Sequence, residues 1–368
     1  MKFHSPKPFD AVIAVTYRCN ARCNMCNIWQ VKDHDDCKPE DYRIIPTTLK
    51  HINISGGEPF LRQDLPEIVR VVSERNPQAH ILCSSNGFQP SRNVESVKQM
   101  LKYHKNLGVG ISIDGIGPMH DKIRGIPGGF DKSIETVNRL RDEVGLKDIR
   151  IAFTMQDENV GHLLDVFELS KRLGTQFTWV VAQTSSHYFQ NTDNAKGHWS
   201  GGTSIEGNVL ELISRQLKSV KPKDWARGFF SFGNLLRAKN EPRPIRCKAA
   251  SSFFFIGPRG DVHACNARDL PLGNIRKTRN WDEIWTGQHA DGIRDTVSRC
   301  TDNCWMVCTA RSSMIEGAPE VIAWITYNKL RAHLGLFSNW QPHGPESRGK
   351  GAGGGFNASN MQLPVLQA

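Results

Sequence analysis

Cys19, Cys23 and Cys26 stand close together in the spacing C-x3-C-x2-C, directly after an apolar, β-branched run. Three thiolates on so short a stretch can hold three irons of a four-iron cubane and leave the fourth iron open to a small chelating molecule. The plain alternative is zinc, but zinc sites usually close with four ligands in two spaced pairs. Cys37 is the nearest further thiol, and it has no paired cysteine at a familiar zinc spacing. Farther along, Cys300, Cys304 and Cys308 follow C-x3-C-x3-C, and Cys247 and Cys265 make a looser pair. The triplet reads as iron–sulfur ligands or as packing, since residues four apart share one helix face. Cys83 ends an apolar strand and reads as a small buried core residue. Clustered cysteines in a chain this long read as metal ligands rather than disulfides, and reduced thiolates point to the cytoplasm.

The elements that must position these thiols repeat with the period of a βα unit. Candidate strands are Ala11–Tyr17, His51–Ile54, His80–Cys83, Val109–Ile113, Ile149–Thr154 and Phe177–Val181. After the second strand Asp64 and Glu67 form a potential capping box, Leu65, Ile68, Val69 and Val72 make a buried stripe, and Asn76-Pro77 stops the helix. Another helix is expected from Val160 to Leu173, ending at Gly174. Pro39 and Pro46 bracket only a short helix after the first strand. Such units predict an α/β fold, a partial (β/α)6 TIM-like barrel with right-handed crossovers. Chemistry in such barrels gathers at the C-terminal strand ends. There stand the first cysteines, Gly56-Gly57-Glu58-Pro59, Ser84-Ser85-Asn86-Gly87 and Ser112-Ile113-Asp114-Gly115.

Beyond this region, residues 184–203 read as a polar loop, and Thr203 with Glu206 is expected to cap a helix reaching about Val220. Ser252–Ile256 and Asp261–Ala264 resemble a hairpin turning at Gly257-Pro258-Arg259-Gly260, with a short helix near Trp281–Ile284. The tail from about Gln341 is rich in Gly, Ser, Asn and Pro and reads as disordered.

Composition sets outer limits. The 368 residues suffice for a sizeable core. No apolar run is long enough to span a membrane, and Asp10 interrupts the short apolar run that a signal peptide would need. The net charge of +10 is spread along the chain, with no nucleic-acid-binding motif. Trp179, His187, Tyr188 and Trp199 are candidates for lining a substrate cavity or for packing at the barrel mouth.

Cys19-x3-Cys23-x2-Cys26 followed by Gly56-Gly57-Glu58-Pro59 resembles the signature of the radical S-adenosylmethionine superfamily, with Met25 where the family usually has an aromatic residue. The resemblance implies a fourth iron that chelates the amino and carboxylate groups of S-adenosylmethionine, reductive cleavage of the sulfonium, and a 5′-deoxyadenosyl radical that takes a hydrogen atom from substrate. It also implies a flavodoxin- or ferredoxin-like reducing partner. By the same resemblance Gly56, Gly57 and Glu58 receive the amino group, Ser112 and Asp114 address the ribose hydroxyls, Arg124 pairs the carboxylate, and Asn86 contacts the cofactor.

Cys247, Gly260-x4-Cys265, Leu272-Gly273-Asn274-Ile275 and Trp281-Asp282-Glu283-Ile284-Trp285 resemble the SPASM extension or its short form, twitch. That resemblance implies one auxiliary four-iron cluster held by Cys247, Cys265 and two of Cys300, Cys304 and Cys308, assisting oxidation or bond formation on a peptide or small molecule. The expected organisation is a core over 9–182, a linking loop and helices over 183–245, the auxiliary-cluster domain over 246–315, a C-terminal helix over 316–340 and a tail over 341–368. Two other classes stay open at this point: a zinc-binding structural or interaction protein, and a non-catalytic iron–sulfur electron carrier.

Overall fold

The computed structural model describes residues 6–33, 35–193, 199–200 and 205–336. Six strands, β1 (Asp10–Ala14), β2 (His51–Ser55), β3 (His80–Ser85), β4 (Leu107–Ser112), β5 (Asp148–Met155) and β6 (Gln176–Val181), pair in parallel and in chain order. Parallel neighbours cannot be joined by a tight turn, so the crossovers carry long loops and helices. These helices are α1 (Leu65–Arg75), α2 (Pro90–Tyr103), α3 (Pro118–Arg124), α4 (Gly129–Asp142) and α5 (Leu163–Arg172). β6 forms one edge of the sheet and does not pair with β1, so the barrel is partial.

The buried stripe of α1 is as its sequence predicts, with Leu65, Ile68, Val69 and Val72 all inside. Its cap is not. The Asp64 carboxylate is occupied by Arg62, whose Nε and Nη2 donate to it at 2.8 and 2.6 Å, and Glu67 pairs with Arg70. Pro66 in the first turn, where an N–H has no helical partner anyway, serves the start instead. The helix expected from Val160 opens with a 3-10 turn at Val160–His162 and continues as α5. Gly174 ends it with φ +67°.

Helices α6 (Glu206–Lys218) and α7 (Pro222–Ala238) follow. Thr203, the expected cap of α6, and the tail over 341–368 lie outside the described residues. The chain then returns to the same sheet. β7 (Phe253–Ile256) pairs in parallel with the free edge of β1, and β8 (Asp261–His263) and β9 (Pro271–Asn274) add antiparallel strands. Phe253, Phe254 and Phe255 are fully buried there, as suits aromatic residues on a covered strand. The cysteine-bearing C-terminal region is therefore continuous with the barrel sheet. Helices α8 (Asp282–Trp285), α9 (Gln288–Ser298), α10 (Val307–Glu316) and α11 (Ala318–His333) complete it. Among the described residues no helix is long and apolar enough to cross a membrane.

A buried ion pair fastens the two regions. Both carboxylate oxygens of Asp10, at the start of β1, accept from Arg311 of α10 at 2.6 Å, and Asp10 has no solvent exposure. Removing one member leaves the other charge buried and unpaired, which costs about 3–5 kcal/mol. Asp10→Ala is therefore expected to lower the unfolding free energy, measured by urea titration, by an amount of that order. A change under about 1 kcal/mol would mean that this pair does not join the two regions.

Candidate active site

The cysteine loop after β1 is held from three sides. Arg22 and Asn24 donate their backbone N–H groups to the carbonyls of Arg124 and Ile123 at 2.9 and 3.0 Å, zipping the loop to the end of α3. Asn86 Nδ2 donates to Asn20 Oδ1 at 2.7 Å. From the segment after β6, Asn191 Nδ2 donates to the Met25 carbonyl at 2.8 Å, and the Phe189 carbonyl accepts from Asn27 at 3.0 Å. The strand-two glycines are needed for a close approach to this same chain. A Cβ on Gly56, whose φ is +131°, would lie 2.3 Å from the Thr16 carbonyl oxygen, and one on Gly57 would lie 2.3 Å from that of Arg18. Neither position admits a side chain.

These contacts wall a cavity of about 290 Å³ at the C-terminal ends of the strands. Cys19, Cys23 and Cys26 line it together with Met25, Gly56, Gly57, Asn86, Ser112 and Arg124. Burial, aided by Glu58 and the other thiols at Cys19 and by Cys23 at Cys26, pushes Cys19 and Cys26 up to about 12, and burial with the Asp114 charge raises Cys23 as well. Such thiols deprotonate only when a cation replaces their protons. Arg124 supplies part of that charge: its Nη1 lies 3.6 Å from Cys23 Sγ, and its Nε lies 2.6 Å from Asp114 Oδ2. The donor set is three soft sulfurs with one open side, which fits a cluster with an open iron better than a closed zinc site.

Two of the residues expected at the cofactor stand behind the wall. Asp114 is fully buried; besides Arg124 it accepts from the Thr154 N–H at 2.7 Å, and its own N–H donates to His120 Nδ1 at 3.1 Å. It contributes no surface to the cavity, and its carboxylate is turned to Arg124. Glu58 is likewise buried and off the cavity. Its carboxylate accepts from the N–H groups of Phe60 and Asn86 and from Ser85 Oγ, tying β2 to β3, and burial still pushes it up to about 7.

A second, narrow cavity gathers four thiols: Cys247, Cys265, Cys300 and Cys304. Cys265 Sγ accepts from the Arg268 N–H at 3.2 Å, and Arg243 donates to the Cys304 carbonyl at 2.9 Å. Cys300 and Cys304 lie in irregular chain, so the triplet does not form one helix face. Cys308, expected with them, lines the first cavity instead, because α10 begins at Val307 and carries it away from the other four. Cys37 does not line the first cavity; it packs against the turn before β8, 3.1 Å from where a Cβ of Gly260 would sit. Cys83 is a core residue, 3.9 Å from Met100 Sδ.

Comparison with known proteins bears directly on these two thiol groups. A family described as the radical SAM superfamily matches residues 13–169, and one described as an iron–sulfur cluster-binding domain, SPASM, matches residues 247–309. Residues 13–169 are thus a radical SAM domain and residues 247–309 a SPASM domain. A four-iron cluster and S-adenosylmethionine go with the first domain, and auxiliary iron–sulfur with the second; the zinc alternative is not favoured. Similar proteins include the sporulation killing factor maturation protein SkfB of Bacillus subtilis, 26% identical over 277 residues, which span 73% of this chain and 62% of that one. An AdoMet-dependent heme synthase of Oleidesulfovibrio alaskensis is 24% identical over 74% of this chain and 72% of its own. The Fe-coproporphyrin III synthase of Methanosarcina barkeri is 32% identical over 46% of this chain and 42% of its own. The chain thus spans less than two thirds of the first and the last of these relatives. Among solved structures, Streptococcus suis SuiB shares the fold with a TM-score of 0.53 and 14% identity, over 78% of this chain and 68% of that one.

The four aromatic candidates divide. Tyr188 lines the cavity, its hydroxyl 2.8 Å from Ser55 Oγ. Trp179 and Trp199 turn outward to α7, donating to Ser231 Oγ at 3.0 Å and the Ala238 carbonyl at 2.8 Å. His187 stacks on His263 at 4.3 Å. Asn191, which holds Met25, carried no signal in its polar loop, and neither did Asn53 inside β2, which lines the cavity.

His120 beside the Asp114–Arg124 pair is buried, and that burial holds it down at about 3. The unfolded chain therefore takes up a proton between pH 6.5 and 3 that the folded chain refuses. This contribution to stability is complete above pH 6.5 and is lost as pH falls through that window. From pH 7 to 5 the wild type is expected to lose roughly 2 kcal/mol more than His120→Gln, read from urea unfolding midpoints. Equal losses would refute a neutral His120.

Proposed function

We propose that the protein reductively cleaves S-adenosylmethionine and abstracts a hydrogen atom from a peptide or small-molecule substrate, acting as an oxidoreductase or bond-forming enzyme. The observation that carries this reading is that Cys19, Cys23, Cys26 and Arg124 line one cavity at the C-terminal ends of parallel strands. When bound, the cluster and S-adenosylmethionine supply a 5′-deoxyadenosyl radical. The protein's part is to bind, orient and exclude water.

Cys19, Cys23 and Cys26 hold three irons. The N–H groups of Gly57 and Glu58 are taken by the carbonyls of Thr16 and Arg18, so what this strand end offers an ammonium group is carbonyl oxygens. Arg124, kept in place by Asp114, faces the carboxylate with its remaining donors. Ser112 and Asn86 reach toward the nucleoside, with Met25 as apolar surface. Cys247, Cys265, Cys300 and Cys304 would hold an auxiliary cluster, which would supply one-electron chemistry for oxidation or bond formation. A flavodoxin- or ferredoxin-like protein supplies electrons, and the ten free cysteines suit the reducing cytoplasm. Relatives named for maturing a killing factor and for making heme support both a peptide and a small molecule as substrate class.

Anaerobically reconstituted protein is expected to hold roughly eight irons per chain and, with reductant and S-adenosylmethionine, to release 5′-deoxyadenosine. The triple variant Cys19→Ala, Cys23→Ala, Cys26→Ala should keep about half the iron and release none. Full iron and undiminished release in that variant would end this reading.

A further inference from the structure

Apart from both sets of thiols, three side chains of metal-binding type meet on another face. His187 in the segment after β6, His263 at the end of β8 and Asp269 just before β9 each bring one ligand atom, and the three atoms lie within 4.8 Å of one another. The two imidazoles stack with centroids 4.3 Å apart. His263 is 8% exposed, and its buried Nδ1 lies 3.0 Å from Asp269 Oδ1 without the alignment of a hydrogen bond. A buried nitrogen in that state calls for a partner. His187 Nε2 donates to the Cys265 carbonyl at 3.0 Å; since a carbonyl only accepts, the ring lone pair is on Nδ1, beside Ser185 Oγ at 3.2 Å. Metal-binding histidines are oriented by such a bond from their other ring nitrogen. All three residues line an open cleft of about 450 Å³. Its charge favours a cation: Asp261 and Asp269 line it, and Arg259, the cation among its lining residues, is turned to Asp33 at 2.7 Å.

We propose that His187, His263 and Asp269 bind a divalent transition-metal ion, with water completing its shell from the open side of the cleft. Imidazole nitrogens select such an ion over calcium or magnesium, which take oxygen ligands. Ligand atoms around a tetrahedral ion stand roughly 3.3 Å apart. The His263–Asp269 pair already has that spacing. Closing the rest takes a shift of at most about 1.5 Å, shared between a ring rotation and the exposed Asp269 carboxylate. What the ion does follows from the elements it joins. The residues after His187, Tyr188 and Phe189, wall the cavity of Cys19, Cys23 and Cys26. His263 and Asp269 flank Cys265, which lines the four-thiol cavity. The ion is therefore a strap that fixes the wall of the first cavity to the chain that carries a thiol of the second. It acts by holding these segments together, so the site stands whether or not the reaction proposed above is the right one.

Zinc is the probe. Full-length protein with its iron restored is equilibrated anaerobically with zinc sulfate and desalted. Metal analysis is expected to find about one zinc per chain with the iron unchanged. Zinc K-edge absorption should show nitrogen and oxygen at about 2.0–2.1 Å and no sulfur near 2.3 Å, which separates this site from any thiol. Asp269→Ala, a change at the surface, and His263→Gln should each retain less than about a tenth of that zinc while keeping wild-type iron. The amides of Tyr188 and Asn191 both bond to Ser185 beside His187. Their hydrogen exchange should slow when zinc is added to the wild type and stay unchanged in Asp269→Ala. No zinc on the wild type, a sulfur shell around it, or full zinc in both variants overturns the site. Zinc bound with no change in exchange overturns the strap. Release of 5′-deoxyadenosine is read separately, so the loss of either proposal leaves the other standing.

Discussion

A guanidinium buried between a carboxylate and a thiol is the constraint on which the rest of the site depends. Arg124 reaches Asp114 on one side and Cys23 on the other with little solvent at hand. Desolvating a charge is expensive, so Arg124 keeps its position only while Asp114 and an electron-rich sulfur surround it. Asp114 follows β4, Arg124 ends α3 and Cys23 lies in the loop after β1. One buried contact thus sets the relative position of three elements far apart in the chain. It also leaves a positive face toward the cavity beside three thiols that need compensating charge to ionise.

Around that contact the wall is mostly backbone. The carbonyls of Ile123 and Arg124 receive the cysteine loop, and the carbonyls of Thr16 and Arg18 press on Gly56 and Gly57. Backbone contacts give a loop a definite path without large side chains, which leaves room inside for a ligand. A further part of the wall comes from the segment after β6. Tyr188 stacks on Phe189 at 4.3 Å and hydrogen-bonds Ser55, and Asn191 holds Met25. The parallel pairing of β7 with β1 then places the four-thiol cavity beside the first, with Asn266 and Met306 on the boundary.

Most of the fold was legible before any coordinates. The six core strands follow runs of β-branched and apolar residues, and their ends fall within a few residues of expectation because such a run is a local property of the chain. The helix α7 was less legible: its ten buried residues include Gly228, Ser231, Gly233 and Asn234, which carry no hydrophobic stripe. Gly233 is small because Trp305, 72 positions on, fills the space a Cβ would need. Side chains at the site divided the same way. Cys19, Cys23, Cys26, Gly56, Gly57, Asn86, Ser112 and Arg124 all line the cavity, whereas Asp114 and Glu58 proved to support it from behind.

What the residues determined by themselves is the chemistry on offer: soft sulfur ligands at short spacings, glycines and polar groups at strand ends, and the strand–helix period that brings those ends together. These are properties of neighbours along the chain, set by local sterics and by the ligand preferences of thiolates. That Asp114 faces a guanidinium and Glu58 backbone N–H groups rather than the cavity, and which four of five C-terminal thiols share a cavity, only the tertiary structure decided. Those outcomes turn on the direction of a side chain at the end of an element. The start of α10 between Cys304 and Cys308 separates two thiols that the spacing alone treats alike.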